Sequence, residues 1–166
     1  MERNEFKKAL LNKVSEVSDI NTEHLEMTLN LGQILGEFLD TIYQFTEKTT
    51  GFSLNYFKAL RLLYVCFPNG VPISQVAEHV GITRTSMTQI INNLENQGLI
   101  KRVANPRDKR SSLVSLTAEG MEEVTVLVTK SHSALAHFAD EAGIEKIQDA
   151  ISILEELSLH LNNVTR

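Results

Sequence analysis

Residues 73–120 constrain this chain more than any other stretch. Ile73-Ser-Gln-Val-Ala-Glu-His-Val-Gly-Ile-Thr-Arg-Thr-Ser-Met-Thr-Gln-Ile-Ile leads on to Leu99-Ile-Lys-Arg-Val, Asn105-Pro-Arg-Asp-Lys-Arg and Leu116-Thr-Ala-Glu-Gly. The pattern predicts a short helix over 75–80 capped by Ser74, a turn at Gly81, and a second helix over 84–97 capped by Thr83. Gly98 stands where a helix C-terminus favours a left-handed residue. Strand-like runs at Leu99–Val103 and Leu113–Leu116 then flank a polar tip over 104–111. A short helix, a turn, a second helix and a charged hairpin make a helix-turn-helix with a wing.

The flanking segments are helical by periodicity. Phe6, Leu10, Val14 and Val17 recur at helical spacing within residues 3–17, Asp19–Thr22 reads as a turn, and Leu25, Leu29, Gly32, Leu35, Leu39 and Ile42 continue for several turns. Gly32 and Gly36 lower helix propensity and permit another helix to approach closely. Thr49-Thr50-Gly51 ends this helix, Ser53 caps the next over Leu54–Phe67, and Pro68-Asn69-Gly70 turns the chain into a short edge strand at Val71-Pro72-Ile73. Thr117 caps a long helix carrying Met121, Val124, Leu127, Val128, Leu135 and Phe138. After Gly143 a last helix carries Ile147, Ile151, Leu154, Leu157, Leu161 and Val164. The expected fold is mainly α with a small β wing. It comprises N-terminal dimerisation helices (1–50), a winged helix-turn-helix domain (51–117) and C-terminal helices completing the dimerisation domain (118–166). Apolar stripes left over at both ends favour pairing with a second copy.

On the second helix of the motif, Met87, Ile90, Ile91 and Leu94 form one face at i, i+3, i+4, i+7. Thr85, Thr88, Gln89 and Asn92 form another, about 200° away at helical pitch. The second face is polar but uncharged. A merely solvated face usually carries Glu and Lys, whereas Gln and Asn can bond adenine bidentately and Thr methyls can meet thymine methyls. Arg84, at the helix start, is placed for a phosphate or guanine, and Ser74 and Ser86 fall at the beginnings of the two helices. The pattern therefore points to a helix that reads double-stranded DNA in the major groove.

The net charge of −5 opposes DNA binding only on average. Residues 71–116 hold six basic and three acidic side chains, net +3, and the rest of the chain carries −8. Charge local to the contacting face sets phosphate attraction. At the wing tip Arg107, Lys109 and Arg110 suit phosphates or a narrow minor groove, and Asp108 is expected to pair with Arg110 and fix the loop.

These residues resemble the MarR family of bacterial transcription regulators in three places: the helix pair Ser74–Leu94, the wing Asn105-Pro-Arg-Asp-Lys-Arg with its D-x-R core at Asp108 and Arg110, and the wing exit Leu116-Thr-Ala-Glu-Gly. The resemblance implies a homodimer paired through its terminal helices, two reading helices in successive major grooves of a pseudo-palindromic operator, and repression relieved by small aromatic or phenolic ligands or by oxidation. Asn105 stands where many relatives have Asp, and Lys109 where Arg is common.

Little else in the chain offers chemistry. Gly-rich phosphate loops, metal-ligand spacing and paired carboxylates at a plausible site are missing, so no enzyme, cofactor or metal is expected. The lone Cys66 ends an apolar helix and is expected to be a buried, inert thiol. No apolar run approaches the roughly 20 residues that span a bilayer, and the N-terminus has no signal-peptide h-region, so a cytoplasmic protein is expected. Tyr43, Phe57 or Tyr64 are candidates to line an effector pocket between residues 25–67 and the helix after 117. A winged-helix module that binds protein instead of DNA is the alternative, and it would predict weak, salt-insensitive DNA binding.

Overall fold

The computed structural model describes residues 3–105 and 112–164, with side chains from Glu5 onward. The elements in order are α1 (Arg3–Val17), α2 (Thr22–Thr50), α3 (Leu54–Cys66), β1 (Val71–Pro72), α4 (Ile73–Val80), α5 (Arg84–Asn96), β2 (Ile100–Ala104), β3 (Ser112–Leu116), α6 (Ala118–Ala142) and α7 (Ile144–Val164). The chain divides into two compact units, residues 1–45 and 46–166. No helix among the described residues is long and apolar enough to cross a membrane.

In the first unit, Asn21 starts α2: its Oδ1 accepts the His24 N–H at 3.1 Å. Lys7 of α1 reaches α2, donating to Asn30 Oδ1 at 2.8 Å and lying 3.3 Å from the Glu26 carboxylate. Gly32 and Gly36 have open space where a Cβ would project. Phe6, Met27, Ile34, Phe38 and Leu39 are more than half exposed.

The core lies in the second unit. Leu60 and Leu63 of α3, Val76 of α4, Met87, Ile91 and Leu94 of α5, Val114 and Leu116 of β3, and Val124 of α6 are fully buried in one cluster. Each such side chain contributes about 1.5–3 kcal/mol by leaving water. The four-residue apolar face of α5 is accordingly inward, as its spacing predicts.

β3 is the central strand of an antiparallel sheet ordered β1-β3-β2. Val71 pairs with Val114 and Pro72 with Leu113, while Ile100 to Ala104 pair in turn with Leu116 to Ser112. Pro72, lacking an N–H, sits on the edge strand, where none is required. The same proline corrects one expectation. α4 begins at Ile73, with Pro72 at the N-cap position, so Ser74 lies within the first turn and does not cap the helix. Ser53 does hold the N-cap position of α3, but its hydroxyl makes no capping bond. Cys66 is half-buried against the core instead of fully enclosed.

Candidate nucleic-acid interface

α4 and α5 join through Gly81, whose N–H donates to the carbonyls of Ala77 (3.0 Å) and Glu78 (3.2 Å), while the Ile82 N–H also reaches Ala77 O (3.1 Å). These bonds satisfy the last carbonyls of α4 and fix the turn. Thr83 then starts α5: its Oγ1 accepts the Ser86 N–H at 3.1 Å and lies 2.9 Å from Ser86 Oγ. The expected cap is present, and the Ser86 hydroxyl is engaged with it.

The far end of α5 is fixed as firmly. Gly98 takes φ +75°, so its N–H donates to Glu95 O (2.9 Å) and the Leu99 N–H to Leu94 O (3.1 Å). Buried Leu99 packs in the same cluster as Leu94, completing a Schellman stop. Thr117 ties the stop to α6. Its N–H donates to Leu99 O (3.0 Å), its hydroxyl to Gly98 O (2.7 Å), and its Oγ1 accepts the Gly120 N–H (2.9 Å). Gly120 is required by this approach, because a Cβ there would stand 1.9 Å from Leu99 O.

Between these ends α5 turns its polar face outward. Arg84, Thr85, Ser86, Gln89 and Asn92 are exposed and Thr88 is half-buried, opposite Met87, Ile91 and Leu94 at 0% exposure. Ser74, on α4, is exposed as well. The Thr88 hydroxyl donates to Arg84 O at 2.8 Å and retains its capacity to accept. The side chains of Arg84, Thr85 and Gln89 form no hydrogen bond with the described residues. Arg107, Asp108, Lys109 and Arg110, expected at the wing tip, lie outside the described residues.

Two side chains that bear on this face escape a reading by periodicity. Arg102 of β2 donates from Nη2 to Asn92 Oδ1 at 2.6 Å, and its Nη1 lies 3.5 Å from a Glu95 carboxylate oxygen. Asn93 donates from Nδ2 to the Tyr56 hydroxyl at 2.6 Å, tying α5 to α3. Arg102 is visible in the sequence only as one more basic residue. Its pairing depends on the Gly98 stop folding β2 back beside α5.

A second feature of this unit is a cavity of about 300 Å³ lined by Arg61, Leu62, Tyr64, Val65, His79, Val128 and His132. Of the three aromatics expected to line an effector pocket, Tyr64 is among its walls. Phe57 is buried in the core with the Arg61 guanidinium 5.9 Å above its ring, and half-exposed Tyr43 belongs to the other unit.

An α4–α5 pair packed on the core, an exposed polar face on α5 and a β2–β3 hairpin define a winged helix-turn-helix protein. Residues 50–111 match the profile of the MarR family. Over 143 residues the chain is 24% identical to the uncharacterised HTH-type transcriptional regulator YkoM of Bacillus subtilis, covering 84% of this chain and 92% of that one. The crystal structure of a MarR family transcription regulator superposes with a TM-score of 0.72 at 19% identity, over 87% of this chain and 96% of that one. The PcaV regulator of Streptomyces coelicolor, solved with its natural ligand, gives a TM-score of 0.64 at 21% identity, over 76% and 90% of the two chains. The matched segment and these likenesses support the MarR family and a DNA-binding transcriptional regulator of the winged helix-turn-helix class.

Proposed function

We propose that this regulator acts in the cytoplasm as a homodimeric repressor. It occupies a pseudo-palindromic operator, is released by a small-molecule effector, and catalyses no reaction. The observation that carries the reading is the two-sided α5: a wholly buried apolar face opposite an exposed face of Thr85, Gln89 and Asn92, headed by Arg84. Uncharged donor–acceptor side chains suit base edges. Arg107, Lys109 and Arg110 supply phosphate or minor-groove contacts, and Asp108 holds the tip. Ser74, Ser86 and Thr88 border the same surface, the two hydroxyls on α5 acting chiefly to shape the helix.

Dimerisation rests on residues 1–50 and 118–166, with 51–117 bearing the DNA contacts. α7 has no buried residue although Ile151, Ile153, Leu159 and Leu161 are each more than half exposed. Isolated apolar residues are ordinary on a surface, but a helix-long series of them favours a partner. The cavity beside Tyr64 offers space for an effector, with Leu62, Val65 and Val128 as apolar walls and Arg61, His79 and His132 as polar contacts.

Selection from random DNA duplexes at physiological salt tests the reading. The expected result is an enriched pseudo-palindrome whose half-sites lie about one helical turn apart. Failure of a folded dimer to enrich any sequence, with and without candidate effectors, would overturn it.

A further inference from the structure

The Arg102–Asn92 contact bears on which base the helix reads. An asparagine selects adenine by pairing its carbonyl with N6–H and its amide N–H with N7, so it must present both an acceptor and a donor. Here one of the carbonyl's two lone pairs is already engaged: Arg102 Nη2 donates to Asn92 Oδ1 at 2.6 Å. The guanidinium is held in turn by Glu95, 3.5 Å away and one helical turn along from Asn92. Charge-assisted hydrogen bonds of this kind are roughly twice as strong as neutral ones. Arg102 sits on a strand whose register is set by pairing opposite Val114, and the Schellman stop at Gly98 fixes the chain between helix and strand.

We infer that Arg102 is a specificity-determining residue. By engaging the Asn92 carbonyl through a charge-assisted bond it crowds that oxygen and weakens it as an acceptor, while both N–H donors stay free to offer. Asn92 then favours a base edge that presents acceptors alone, guanine O6 and N7 foremost, over adenine, whose N6–H would meet the crowded oxygen. Gln89, whose amide is not engaged by any described residue, keeps both functions and retains the adenine preference of an unconstrained amide. The two amides of one face thus read different bases because a strand residue ten positions away engages one of them.

This inference rests on α5 being the base-contacting helix, and the test separates the two. Wild type, Asn92→Ala, Arg102→Met and Glu95→Gln are compared on the selected operator with each of the four bases placed in turn at every half-site position. The position at which Asn92→Ala flattens the preference is expected to carry guanine for wild type. In Arg102→Met the guanine-to-adenine ratio there should fall about tenfold, with the preference at the Gln89 position unchanged as the control for folding and docking. Glu95→Gln, which loosens the guanidinium without touching Asn92, should shift the ratio in the same direction by a smaller factor, and it decides the matter if Arg102→Met misfolds. Adenine at the Asn92 position in wild type, or a guanine preference unmoved by both variants, would overturn the inference while leaving the reading helix intact. No position flattened by Asn92→Ala would also overturn it. A wild type that selects no sequence would instead remove the DNA-reading site itself.

Discussion

Replacing Gly120 by alanine should destabilise the protein, although in most helices the same change stabilises it. Gly→Ala in a helix interior is worth about 1 kcal/mol in favour of the variant. At position 120 the added methyl would stand 1.9 Å from Leu99 O and 2.7 Å from its carbonyl carbon. Carbon–oxygen contacts settle near 3.3 Å, so the α6 start and the α5 stop must separate by more than an ångström. That movement breaks the 3.0 Å bond from the Thr117 N–H to Leu99 O, at a cost of about 1 kcal/mol. It also disturbs the 2.9 Å cap bond from the Gly120 N–H to Thr117 Oγ1, worth about 1 kcal/mol more. Overpacking adds about 1–3 kcal/mol. Set against the propensity gain, the net loss is about 2–4 kcal/mol. Urea unfolding at fixed protein concentration measures it, since any self-association makes the midpoint concentration-dependent. Gly98→Ala is the internal comparison. A Cβ there meets open space, and only the positive φ is strained, so the loss should be about 1–2 kcal/mol. A Gly120→Ala variant as stable as wild type, or more so, would refute the account of this junction.

Gln89→Ala should relax base preference at one half-site position at a cost of about 1–3 kcal/mol, measured by competition among operator variants; wild-type selectivity would remove Gln89 from the reading face. Arg107→Ala combined with Lys109→Ala should weaken binding to every duplex and reduce the slope of log K against log salt by up to about 2. An unchanged slope would place the phosphate contacts elsewhere. Tyr56→Phe removes the 2.6 Å bond to Asn93 and should lower unfolding stability by about 0.5–1.5 kcal/mol, since exposed Asn93 can turn to water. A loss above 3 kcal/mol would mean that the hydroxyl has a further role.

Much of the winged helix was legible because its signals are local. The inward face of α5 follows from apolar spacing, and the caps at Thr83 and Thr117 and the stop at Gly98 follow from residue types that satisfy helix ends. Ser74 was misleading for an equally physical reason. Pro72, with φ already near the helical value at −60° and its strand paired to β3, lets α4 begin one residue before the serine. Asn21 held a cap signal for α2 that a polar-turn reading passes over. The hold of Arg102 on Asn92 could not be read from periodicity, because it depends on how a strand folds back beside a helix.

The attachments of α5 also limit how the protein can respond to a signal. Its N-terminus is closed by Thr83, its C-terminus shares a carbonyl with the start of α6, and its flanks are fastened to α3 through Tyr56 and to β2 through Arg102. A helix so tethered cannot roll or slide within its own domain without breaking several of these bonds at once. If an effector acts on this protein, as proposed, its influence would reach α5 as a displacement of the whole domain and not as a movement within it. If two copies act together, the variable under control is the spacing between two rigid readers, so release would come from a mismatch in pitch with the DNA and would leave each reader's sequence preference unchanged.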